Sequence, residues 1–111
     1  MKENNNKALI SELRDALIKS HWPKCNAIAE QIAQIGGAEA GDALIAALKS
    51  RTHHVRSAAI RALASIGDIS AVSHIERHLA DSSYETREDA KAAINLLTGK
   101  NIGAVEKKEE I

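Results

Sequence analysis

The sequence predicts an all-α fold, an α-α superhelix (solenoid) of three consecutive helical hairpins with six helices in all. Three observations carry the prediction. A pattern of apolar residues returns every 31 positions. Within each unit of that pattern the apolar residues fall at helical spacing. The composition also suits helices: hydrophobic residues make up 44% of the 111, yet there is no Phe, one Trp and one Tyr. Ala, Ile and Leu must then build the core, and Ala and Leu are strong helix formers. Little Val and few aromatics remain to support strands.

The offset shows first in Ile35-Gly36, which returns as Ile66-Gly67 31 residues later. A further 31 residues lead to Leu97-Thr98, with Gly99 one place late. Leu13, Leu44 and Ile75 align in the same way, as do Leu17, Leu48 and Leu79. So do Ile28, Ala59 and Ala90, and Ile32, Leu63 and Ile94. The units are therefore 7–37, 38–68 and 69–99.

Each unit holds two helical patterns. In the middle unit Leu44 and Leu48 share one face of a first helix. Val55, Ala59, Ala62, Leu63 and Ile66 follow the 3.6-residue period on a second. The expected helices are Lys7–Ser20, Trp22–Ile35, Glu39–Ser50, His53–Ile66, Ile69–Asp81 and Tyr84–Thr98. Pro23 falls near a helix start, where its missing N–H costs nothing. Thr52 is an expected N-cap, and Ser82 with Glu85 has capping-box spacing. Gly36, Gly67 and Gly99 suit helix C-termini. Short links make each pair an antiparallel hairpin, and Leu63, in the middle unit, is expected in the densest core.

The flanks read differently. Residues 1–6 are polar and expected to be disordered, as is the charged tail 100–111, with its run from Glu106 to Glu110. Between the middle and last units Ala43 becomes His74, Ala47 His78, Ala58 Asp89, Ile60 Lys91 and Ala64 Asn95. Against the first unit, Ala43, Ile45 and Ala46 correspond to Glu12, Arg14 and Asp15. Polar end faces cap a solenoid, so a complete, monomeric three-unit array is expected.

The run His54 to Asp68, HVRSAAIRALASIGD, continues through Ala71-Val72. It resembles the signature of the short HEAT repeats of the phycobilisome-lyase type. The resemblance covers residues 38–99 well and 7–37 more loosely. It implies a hydrogen-bonded ladder between an Asp in the turn of each repeat and an Arg six residues later. Asp81 and Arg87 have that spacing; the middle unit has Ser50 and Arg56, and the first Lys19 and Cys25. The ladder residues Arg56, Asp81 and Arg87 are expected to be structural. The resemblance also implies that the second helices line a concave surface.

On those second helices, the positions opposite the apolar face are Trp22, Asn26 and Glu30, then His53, Ser57 and Arg61, then Tyr84, Glu88 and Ala92. The only Trp and the only Tyr hold equivalent positions, with a His between them. Trp22, Asn26, Glu30, His53, Ser57, Arg61, Tyr84 and Glu88 are therefore the candidate partner-binding residues.

Catalytic chemistry finds little footing. His74 and His78 stand i, i+4, but two ligands are too few for a metal site. Cys25 has His21 four residues upstream, but that residue is expected to precede the helix and does not supply the base that a reactive thiol needs. No Gly-rich phosphate loop, Ser-His-Asp set or buried carboxylate pair is apparent. No cofactor, no metal and no catalytic residue are expected. Lys plus Arg and Asp plus Glu both number 15. That balance argues against nucleic acid as the main partner, since such binding usually depends on a net basic surface. The apolar stretches are too short for a membrane span. A single cysteine and a polar N-terminus fit a cytoplasmic protein. The expected function is non-catalytic binding of another protein on the concave second-helix face. The alternative, implied by the resemblance alone, is an accessory or catalytic subunit of a bilin lyase-like enzyme.

Overall fold

The computed structural model describes residues 2–99, with side chains from residue 6 onward. Among these residues there are six α-helices and no strand. They are α1 (Lys2–Lys19), α2 (Lys24–Ile35), α3 (Gly37–Ala47), α4 (His53–Ile66), α5 (Val72–Glu76) and α6 (Tyr84–Thr98). Two 3₁₀ turns, Ile69–Ala71 and Arg77–Ala80, extend α5 at either end. The expected tail 100–111 lies outside the described residues.

Helices α1 and α2, α3 and α4, and α5 and α6 pack as hairpins, and each hairpin packs on the next. The Cα radius of gyration is 14.5 Å, with extents of 55 × 27 × 18 Å. A compact chain of this size has a radius near 13 Å, so the molecule is drawn out along the stack, as repeat arrays are. The second helices carry most of the stacking: α4 lies against both α2 and α6. In the first-helix layer α1 touches α3, but α3 and α5 hardly meet.

The core is one continuous cluster of small and branched aliphatics. Leu17, Ile32, Leu44, Val55, Ile60, Leu63 and Ile75 are all fully buried. Burying each such side chain contributes roughly 1.5–3 kcal/mol. Ala29, Ala40, Ala47, Ala59, Ala62 and Ala90 lie between them and let the helices approach closely.

The ends of the helices explain where sequence and structure agree. α4 stops at Gly67, at φ +72° and ψ +32°, where the Asp68 N–H donates to the Leu63 carbonyl and the Gly67 N–H to Ala64. That is a Schellman closure, which needs a left-handed residue. Between α2 and α3 a single residue, Gly36, intervenes at φ +73°, and Gly37 follows at +85°. This double use of positive φ lets the chain reverse at once.

The differences are also local. α1 begins at Lys2, earlier than the expected Lys7, and so takes in residues expected to be disordered. α2 begins at Lys24 rather than Trp22. A residue before proline is pushed out of the helical region, so Trp22 stays outside, joined to Pro23 by a cis bond. α3 ends at Ala47, and Leu48 to Ser50 close it with 3₁₀-type bonds. Thr52 takes the N-cap position of α4 without a side-chain cap bond. At α6 the cap is Ser83, not Ser82: its hydroxyl accepts from the Thr86 N–H at 3.5 Å. α5 is the least regular helix. Its Ser, His and β-branched residues are weaker helix formers than the alanines of α3.

Candidate partner-binding face

The turn between α5 and α6 anchors the best-defined polar cluster. Asp81 accepts two hydrogen bonds from Arg56 of the preceding hairpin, from Nε at 2.9 Å and Nη2 at 2.7 Å. The Arg56 and Asp81 side chains are only 12% and 5% exposed. Asp81 also accepts from His78 Nδ1 at 2.7 Å and from the Ser83 N–H at 2.9 Å. Burial by itself pushes its carboxyl pKa up. The bonds from Arg56, the Ser83 amide and His78, with the Arg56 charge, outweigh this and hold Asp81 well below the usual carboxylate range.

The ladder therefore crosses between repeats. Arg87, six residues after Asp81, donates to the Asp81 backbone carbonyl at 2.7 Å, not to its carboxylate. Arg56 does the same within its own turn, donating from Nη1 to the carbonyls of Ser50 and Arg51, both at 3.0 Å. Each Arg thus ties its own turn, and Arg56 alone also clasps a carboxylate from the next repeat. At the preceding junction both partners differ. Ser50 keeps the local half of the role, accepting from the Thr52 N–H at 3.1 Å. Cys25 is fully buried, with Sγ 3.6 Å from the His54 carbonyl. With the guanidinium absent, no buried carboxylate is left unpaired. His78 belongs to this cluster and is 15% exposed, so it does not form the solvated end face expected with His74.

The candidate binding residues divide into three groups. Trp22 and Tyr84 stand out from the surface, 62% and 67% exposed. The Trp22 ring lies 6.0 Å from that of His54, and the Arg87 guanidinium lies 5.6 Å from the centre of Tyr84. His53, half-buried, lies between the two rings along the stack. A second group forms a cross-brace. Arg61 donates from Nη1 to Asp89 of α6 at 2.8 Å and from Nη2 to Asn26 of α2, so it joins all three second helices. Asp89, expected on the end face, turns instead toward Arg61. Glu30 is exposed beside the brace, whereas Glu88 pairs with Lys91 at 3.0 Å.

Ser57 forms the third group and is a correction. It is 1% exposed and cannot meet a partner. Its hydroxyl shares a 2.8 Å hydrogen bond with that of Thr86, which also lies 3.4 Å from the His53 carbonyl. The position faces α6, not the exposed side of α4.

Two shallow hollows flank Arg61. One of about 360 Å³, between α2 and α4, is lined by Asn26, Ala29, Glu30, Ala58 and Ser65, among others. The other, about 300 Å³, is more apolar and lies between α4 and α6 against Ala64, Ala92, Ala93 and Leu96. Leu96 is 70% exposed there. Sequence reasoning missed Leu96, although it occupies the position of Ser65 one repeat on. It also missed the grouping of His53, His54 and Glu85, whose potential ligand atoms all lie within 4.8 Å of one another.

Hairpins stacked in one direction, tied across repeats by buried polar contacts, define an α-solenoid. The sequence matches the HEAT-repeat family over residues 6–95, and the chain belongs to that family. Comparison with curated proteins returns no match. Among the described residues no helix is long and apolar enough to cross a membrane.

Proposed function

We propose that the protein is a monomeric, non-catalytic binding module that holds a partner protein on its second-helix face. The observation that carries the reading is the exposure of the two large rings. Trp22 and Tyr84 occupy equivalent repeat positions at the α2 and α6 ends of the face, and both remain more than 60% exposed. Rings of this kind give large apolar contact for little entropy loss and are enriched among binding hot spots. His53 completes the row. Arg61, Asn26 and Glu30 supply polar selectivity further along the same helices. Support for a concave second-helix side comes from packing: these helices lie against one another while α3 and α5 hardly meet, and the closer layer of a curved stack is its inner one.

HEAT repeats generally mediate protein association, and the shallow, open hollows suit a contact surface better than a reaction chamber. We place the chain with the short, phycobilisome-lyase-type repeats, on the His54 to Asp68 run, and among cytoplasmic proteins that do not use nucleic acid as their main partner. The test is calorimetry with the protein that co-purifies in stoichiometric amount. Trp22→Ala and Tyr84→Ala should each weaken binding by more than about 1 kcal/mol and leave helicity unchanged. Changes at Glu12 or Glu76, on the first helices, should matter much less. Binding that survives both ring substitutions moves the site elsewhere.

A further inference from the structure

We propose that His53, His54 and Glu85 form a zinc site that clips the second hairpin to the third. His53 and His54 open α4, and Glu85 lies in the first turn of α6, so the set spans the junction. Their potential ligand atoms lie within 4.8 Å of one another. The two imidazoles are already gathered, with ring centres 4.0 Å apart. His53 Nε2 is 3.8 Å from Glu85 Oε1. Zinc bonds to imidazole and carboxylate of about 2.0–2.2 Å place tetrahedral ligands roughly 3.4 Å apart. Small side-chain rotations therefore bring the three donors onto one ion.

The donor chemistry selects the metal. Two neutral imidazoles and one carboxylate are the ligand set of zinc sites that keep a fourth position for water or another ligand. Calcium and magnesium prefer oxygen donors. The half-buried histidines and exposed glutamate leave the site open to solvent. The starts of α4 and α6 disfavour a cation modestly, and among the described residues the only nearly buried carboxylate, Asp81, is committed to Arg56 and His78, so none backs these histidines to raise ligand basicity. Both point to an affinity below that of a closed structural site. His53 belongs to both readings, but the test uses the isolated chain, so its outcome does not depend on whether a partner binds.

Two features make the test clean. His74 and His78 are the competing histidine pair, and His78 is already committed to Asp81. The single Trp, Trp22, lies 6.0 Å from His54 and reports on ions that quench fluorescence. Titration of the full chain with zinc chloride by calorimetry should give one site per chain and a raised melting temperature. His53→Ala and His54→Ala should each weaken binding at least about tenfold, no less than the loss of an outer partner costs a metal site, and Glu85→Gln should weaken it by a smaller factor. Nickel should quench Trp22, and zinc should reverse the quenching. The His variants, if less stable, are checked by circular dichroism, and Glu85→Gln provides a surface change that leaves packing alone. The proposal is overturned by the absence of saturable binding up to about 1 mM zinc. It is equally overturned by affinity that persists in the three variants or is lost instead in His74→Ala.

Discussion

Asp81 is the residue on which the second junction depends. Its carboxylate is nearly buried, yet it stays ionised because a guanidinium, an imidazole and an amide converge on it. Removing one partner from a buried pair typically costs about 3–5 kcal/mol, since the other charge is stranded. Asp81→Asn should therefore destabilise strongly in urea unfolding at neutral pH. The sign of the pH dependence follows from the depressed pKa. Asp81 binds its proton more readily unfolded than folded, so its contribution is complete above the ordinary carboxylate pKa of about 3.9. It is lost as pH falls below that value toward the lower folded one. The gap between parent and Asp81→Asn should hence narrow in acid. A gap that is small at neutral pH, or constant down to strong acid, contradicts this account.

Between elements, the two junctions are built differently, and a double-mutant cycle can compare them. Cys25 and Ser50 stand where the next junction has Arg56 and Asp81. Cys25→Arg alone buries an unpaired guanidinium; Ser50→Asp alone adds a carboxylate without its clasp. Together they should form the missing rung, so the double variant should be more stable than additivity allows by about 0.5–3 kcal/mol. Strict additivity in chemical denaturation would show that the geometry of the second junction does not recur. The elements themselves were legible where a helix stops at a left-handed glycine: α4 and α6 end as read, at Gly67 and Gly99, and span the expected His53–Ile66 and Tyr84–Thr98. α2 was misjudged because Trp22-Pro23 overrides the apolar period. The candidate face was partly legible. Periodicity within one helix separates core from outside, but it cannot separate the groove from the side facing the next repeat, which is where Ser57 lies. Contacts between repeats stay hidden for the same reason. The six-residue spacing pairs Asp81 with Arg87, whereas its carboxylate belongs to Arg56, and Glu85 reaches His53 only once the hairpins are stacked.

Across the whole molecule, stability is distributed along one axis, with each hairpin supported only by its neighbours. The third hairpin leans on α4 through α6, since α5 has almost no contact with α3. Local opening in such arrays follows contiguous units. Amide exchange in Asp81→Asn should thus accelerate in α5 and α6 while α2 and α3 keep most of their protection. Uniform acceleration along the chain would instead indicate a single cooperative block. The Arg61 brace carries a different consequence for the molecule. It is a tether across three successive units, and it sits on the surface, its side chain 44% exposed. A charge contact so placed is weakened by dissolved salt, and a ligand carboxylate competes for the same guanidinium. A carboxylate that takes Arg61 from Asn26 and Asp89 therefore exchanges a tie within the stack for a tie to the ligand, at little cost to helices already held together by their buried core.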